Sequence, residues 1–303
     1  MQDFTTNRFK LLLKVLRENK YCFLPLYELV TAPGLYSKYQ KIIILRHDVE
    51  ENYSNALKIA HIEYKLGIKG SYYFRLSPHQ NVNTFIEKIA QLGHEIGYHY
   101  DDFSVCKGNA KEAISRFLGN LAYLNHFGPI ETISMEGAPL SKYDNRDLWK
   151  IPLNHELINF ILNDNSLPPS LRTLFYENVR SSNLKTLHYN LFNIKAEPYF
   201  DLDFAKFFYL TDTGRCWNGF KYSVRDKIPQ YQEWIRKGYV YHSTNDIIKA
   251  VNNHKFPPRA MITIHPQRWH DKPLPWIKEL IGQNIKNTIK YFIVLINNFS
   301  GSN

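Results

Sequence analysis

At 303 residues, 44% hydrophobic and 22% charged, the chain is long enough for one large or two small domains with a sizeable core. Its three cysteines (Cys22, Cys106, Cys216) are scattered and show no CxxC spacing, which excludes a disulfide framework or a cysteine zinc site and fits a reducing compartment. The formal charge, 38 − 28 = +10, suits an anionic partner or an evenly solvated basic surface, and does not choose among nucleic acid, lipid and anionic glycan.

The first apolar stretch is broken by Lys14, Arg17, Glu18 and Lys20, so it reads as an amphipathic helix over Arg8–Asn19 and not as a signal-peptide core. No run reaches the roughly 18–20 apolar residues of a membrane span, and a cytoplasmic location is expected. Ile42-Ile43-Ile44-Leu45 reads as a buried strand ending abruptly in charge. Helical periodicity follows in Ser54–Leu66, then a strand at Ser71–Arg75, a helix at Val82–Leu92, a strand at Glu95–His99, a helix at Lys111–Asn125 and a strand at Glu131–Met135. Asn154–Tyr189, with Pro168-Pro169, is an irregular insertion of helices and loops. Regularity returns at Asn193–Ala196, Lys206–Leu210 and Tyr239–His242, followed by a helix at Asn245–Asn252 and a strand at Met261–Ile264. A last amphipathic helix, Leu274–Asn297, is expected to pack its apolar positions on the core, with peripheral membrane contact as the alternative.

Repeated strand–helix units call for parallel pairing with helical crossovers. The expected fold is therefore α/β, a single distorted (β/α) barrel of seven strands with its site at the carboxyl ends of the strands. Its expected limits are a helical extension over 1–40, the barrel over 41–272 with the insertion near 151–192, and the C-terminal helix over 273–303.

Polar clusters fall at those strand ends. Arg46-His47-Asp48 follows the first buried strand, where an imidazole and a carboxylate need a compensating metal, substrate or salt bridge, the last from Arg46 or Arg75. In Gly93–Asp102, strand alternation brings out His99 beside Asp101 and Asp102, a donor set suited to Zn²⁺ or another divalent ion, while His94 fits a structural histidine. Thr263-Ile264-His265 ends in an imidazole suited to general acid work. Asp212 in Thr211–Trp217 either orients a catalytic group, with Arg215 and Trp217 gripping substrate, or pairs with Arg215 inside the loop.

With these clusters in order, the sequence resembles the polysaccharide deacetylase superfamily, carbohydrate esterase family four. Gly93-His94-Glu95-Ile96-Gly97-Tyr98-His99 is similar to that family's Gly-His-Glu-Ile-Gly-Asn-His segment, and Thr263-Ile264-His265 to its late strand. Arg46-His47-Asp48 stands where the family has Phe-Asp-Asp. The closest resemblance is to a divergent branch with Arg-His-Asp motifs associated with bacterial surface-glycan genes, in which segments like Ala138–Trp149 and Tyr209–Arg215 also recur. The resemblance spans most of Lys41–Trp269. It implies a divalent metal, zinc first, held by Asp48 and His99, with Asp102, or else Asp101, as third ligand because Phe103 occupies the place of the family's second metal histidine. It further implies His47 as base, His265 as acid and Asp212 as their support.

The expected activity is hydrolysis of the C–N bond of an N-acylated sugar, on a glycan or a nucleotide-linked sugar. Arg46, Arg75, Arg215 and Arg268 would bind anionic parts of the substrate, and Tyr98 or Trp269 would stack on a sugar. Phe103 keeps open a non-catalytic glycan binder on the same scaffold. Nucleic-acid binding rests on net charge alone, and no specific nucleic-acid motif is present.

Overall fold

The computed structural model describes residues 2–77, 82–165, 167–218, 225 and 228–300. The fold is α/β, with strands β1 (Cys22–Phe23), β2 (Ile42–Val49), β3 (Ser71–Phe74), β4 (Glu95–Tyr100), β5 (Ile133–Met135), β6 (Phe208–Thr211) and β7 (Arg259–Ile264). The chain divides into two compact units. One comprises Met1–Tyr72, Val82–Glu95 and Asp203–Asn303, the other Tyr73–Asn81 and Ile96–Leu202.

In the first unit β2 pairs in parallel with β7, and β7 with β6, while β1 pairs with the start of β2. Ile42 to Leu45 are fully buried on both faces, as a strand between neighbours demands. The strand does not stop at Leu45, however. It runs on through Arg46-His47-Asp48 to Val49, so the charged tripeptide lies inside the sheet and its side chains alternate. The helix Tyr53–Lys65 follows β2 and buries Ala56, Ile59, Ala60 and Glu63 on one face. The C-terminal helix, Pro273–Ser300, also belongs to this unit.

In the second unit β4 and β5 pair in parallel, with His99 opposite Ser134. Gly97 is required here: a Cβ would stand 2.4 Å from the Tyr73 ring and 2.9 Å from the Thr132 carbonyl oxygen. The insertion is helical, at His155–Leu162 and Pro169–Ser181.

Parallel pairing agrees with the expected α/β fold, but β1 lies in the segment expected to be a helical extension, and no pairing among the described residues closes a ring. Two of the segments expected to be regular form no named strand. Asn193–Ala196 contributes only a single bridge, Thr132 to Ala196. Tyr239–His242 has no strand pairing, because Tyr239 and Tyr241 pack on Phe208 in an aromatic cluster with Trp234 and Phe256. Among the described residues, no helix is long and apolar enough to cross a membrane.

Candidate active site

Parallel β2, β6 and β7 end side by side, and the residues just beyond those ends form the first polar cluster. Asp212 follows β6 and is fully buried. Its carboxylate accepts from His265 Nδ1 at 2.6 Å, from the His265 backbone N–H at 3.0 Å, from Arg268 Nη1 at 2.9 Å and from Trp269 Nε1 at 2.7 Å. Burial opposes its ionisation, but the charges and hydrogen bonds of His265 and Arg268 outweigh it and hold the carboxyl below its ordinary value. The consequence for His265 is a fixed tautomer. Nδ1 carries the proton donated to Asp212, and Nε2 is turned toward Glu50 Oε1 at 3.7 Å and Asp48 Oδ2 at 3.9 Å.

Arg46 and Asp48, two apart on β2, share a face and form a bidentate pair, Nε–Oδ1 and Nη2–Oδ2, both 2.8 Å. Glu50 is the next residue in that alternation, and sequence reading passed over it because the strand was expected to end before the tripeptide. Period two carried through Arg46 and Asp48 reaches it.

His47 points to the other face of β2, which corrects its expected place beside Asp48 as a base. Its Nε2 lies 2.7 Å from Glu63 Oε1, and its ring stacks on Tyr72 at 4.2 Å between centroids. Tyr72 donates its hydroxyl to Glu63 Oε2 at 2.9 Å. His94 completes the group with Nδ1 accepting from the Gly70 N–H at 3.1 Å and Nε2 facing the Ala60 carbonyl at 3.0 Å. Those partners make His94 neutral and structural, and burial lowers its pKa further. Glu63, fully buried, thus finds its polar partners in His47 and Tyr72, as a buried carboxyl group requires. A glutamate in line with Ala56, Ile59 and Ala60 on an apolar helix face is the signal that reveals such a group.

In the second unit, His99 Nδ1 lies 2.9 Å from the Ser134 carbonyl oxygen, so Nδ1 carries the proton. Its Nε2 faces Glu136 Oε2 at 3.2 Å. Two electron-rich atoms at that distance require a proton or a cation between them. Burial penalises the Glu136 carboxylate, yet hydrogen bonding and charge from His99 bring its pKa well below the ordinary range. Glu136 Oε1 accepts from the Ala138 N–H at 3.0 Å, and Arg75 approaches Oε2 at 3.9 Å.

Asp102 is committed elsewhere. Tyr98 donates its hydroxyl to both carboxylate oxygens at 2.9 Å, and Arg116 Nη1 donates to Oδ1 at 2.6 Å. Burial raises its pKa to about 7, with Arg116 pulling the other way. Arg116 also holds Asp101 at 2.6 Å, and Arg75 reaches Asp101 at 3.4 Å. Phe103 packs edge-on against Tyr143.

Of the expected metal ligands, then, His99 keeps a ring nitrogen directed at a carboxylate, while Asp48 and Asp102 hold arginines. The expected stacking residues are core: Trp269 is fully buried against Phe4 and Phe9, and Tyr98 packs against Phe117. Arg215 is not at the site either. It donates to the Trp276 carbonyl at 2.8 Å and lies 4.1 Å over the Trp276 ring, fastening the C-terminal helix. Trp217 donates its indole N–H to Thr244 at 2.9 Å. Among the arginines named from sequence, Arg75 keeps the most exposed side chain of those in ion pairs, at 38%. Comparison of the chain with protein families, curated proteins and solved structures finds no match.

Proposed function

We propose that the protein is a hydrolase of the polysaccharide deacetylase type, cleaving the C–N bond of an N-acylated sugar, on a glycan or nucleotide-linked sugar, in surface-glycan biosynthesis. The single observation that carries this reading is the Asp212–His265 dyad, an imidazole oriented by a buried carboxylate at the end of β7 with Nε2 turned toward Glu50 and Asp48. In this scheme water adds to the acyl carbon and the C–N bond breaks. His265 Nε2, unprotonated while Nδ1 donates to Asp212, takes the proton of the attacking water and passes it to the departing nitrogen as the C–N bond breaks, with Asp212 stabilising the imidazolium in between. Glu50, facing the same nitrogen, shares the proton traffic that sequence reading gave to His47. Of the arginines proposed for an anionic substituent, Arg75 keeps the most exposed side chain, at 38%.

The donor set of His99 and Glu136 fits a divalent ion such as zinc, because an imidazole nitrogen and a carboxylate oxygen face each other at 3.2 Å. Such an ion, when bound, polarises a carbonyl and makes its water more acidic.

The test is release of acetate from N-acetylated hexosamine oligomers and nucleotide-linked N-acetylhexosamines by the purified protein, with metal analysis. His265→Gln is expected to lower the rate by about 10²–10⁴-fold, the usual range for a general acid. Unaltered release by His265→Gln would sink the proposal. The glycan-binding alternative draws on the bidentate Arg46–Asp48 pair, which occupies a carboxylate expected to hold metal. Sugar binding that survives chelator, without turnover, would select it.

A further inference from the structure

We infer that the C-terminal helix Pro273–Ser300 lies on the surface of an anionic phospholipid bilayer. The helix is amphipathic in the reverse sense. Its inward line, Trp276, Leu280, Gln283 and Asn287, is half polar, and both Gln283 and Asn287 are buried. Asn287 donates to the Gly214 carbonyl at 2.8 Å, and Trp276 Nε1 donates to the Asp3 carbonyl at 2.7 Å. Polar bonds and the Arg215 stack therefore hold the helix. Its outward line is Leu274, Ile277, Ile281, Ile285, Ile289 and Phe292, from 46% to 78% exposed. The spacing of three and four residues places these six on one stripe. Six large apolar side chains in a continuous row toward water are a surface for a partner, where single exposed ones would be ordinary.

Charge selects the partner. From Pro273 to Ser300 the sequence holds Lys278, Lys286 and Lys290 against one acid, Glu279, and the whole chain carries +10. A second copy would bring another helix with three lysines against one glutamate, whereas an anionic bilayer offers opposite charge together with an apolar layer. The helix does not qualify as a membrane span, so the fitting geometry is in the interface plane with the isoleucine row inward. Lys278 and Lys286 are exposed and within reach of headgroups.

The experiment is co-sedimentation of the full chain with phosphatidylcholine vesicles, with and without about 30% phosphatidylglycerol, at low and high salt. Binding is expected to the anionic vesicles and to weaken with salt. Ile281→Asp with Ile285→Asp should reduce partitioning by about tenfold or more. Lys278→Gln with Lys286→Gln should reduce it by about 30-fold, at ~1 kcal/mol for each lysine near the surface. All four side chains are exposed, so unchanged melting curves will show that the variants fold. Failure to bind anionic vesicles at low salt overturns the inference, as does binding that neither pair of substitutions alters. A dimer in sedimentation equilibrium that Ile281→Asp dissociates, without vesicle binding, assigns the stripe to a second copy and also overturns it.

Discussion

Asp212→Asn preserves shape and removes one charge, and its cost follows from the donors around the carboxylate. Oδ1 accepts from His265 Nδ1 and Arg268 Nη1, and Oδ2 accepts from Trp269 Nε1 and the His265 backbone N–H. An asparagine has one acceptor oxygen, so two N–H groups face an NH₂ whichever way the amide turns. Each stranded buried donor costs about 1–3 kcal/mol. Arg268, also buried, loses its counter-charge, and breaking a buried pair costs about 3–5 kcal/mol. These losses overlap, and the larger one sets the expected destabilisation. Against a total stability of about 5–15 kcal/mol this is a large fraction, visible as a lower urea midpoint.

The pH dependence gives a second reading of the same perturbation. An unfolded aspartate titrates near ~3.9, and folded Asp212 titrates below its ordinary value. Its stabilisation is thus complete above the unfolded value and is lost as pH falls through the folded one. The gap between native chain and variant should be widest near neutrality and shrink in acid. Equal urea midpoints at pH 7, or a gap that stays constant into acid, would refute this account of the network.

Three further outcomes are expected. His47→Gln should lower stability by about 1–3 kcal/mol, because it removes a buried polar partner of Glu63, while acetate release per folded molecule persists; abolished release with an unchanged urea midpoint would restore His47 as a base. Asp102, raised to about 7 when folded, binds a proton that the unfolded chain releases near ~3.9, so its contribution to stability falls as pH rises from about 4 to 7, by at most about 1.4 kcal/mol per pH unit. Asp102→Asn should lack that slope in urea titrations, and identical slopes would count against it. Gly97→Ala forces a methyl into the Tyr73 ring and the Thr132 carbonyl, and should cost about 1–3 kcal/mol by chemical denaturation; a neutral effect would mean that β4 and Tyr73 yield easily.

Strands made of apolar runs are legible because burial on both faces leaves a continuous β-branched signature, as in Ile42 to Leu45 and Met261 to Ile264. The continuation of β2 through three charged residues is not legible in that way. It exists because each side chain finds a partner: Arg46 meets Asp48 on one face, and His47 meets Glu63 on the other. Those partners are tertiary facts, and sequence spacing suggests only the first. His265 and Asp212 were recognisable as strand-end groups, but their direct bond depends on β6 and β7 being neighbours. Tyr98 and Trp269 show the opposite failure. Aromatic residues beside polar motifs suggest a sugar platform, yet both are packed into the interior, with their polar atoms bonded to Asp102 and Asp212. The outward isoleucines of the C-terminal helix were legible as a stripe but not in direction, because Asn287 and Gln283 take the inward place.

The donors that surround Asp212 come from only five consecutive residues, His265 to Trp269. One carboxylate therefore gathers a short segment into a single cassette, ordering residues that would each cost about 1–2 kcal/mol of backbone entropy to fix. A cassette of this kind opens as a unit or not at all. In amide hydrogen exchange, the backbone of His265 should share the slowest class with the interior of β7 instead of grading into the faster exchange usual for a loop.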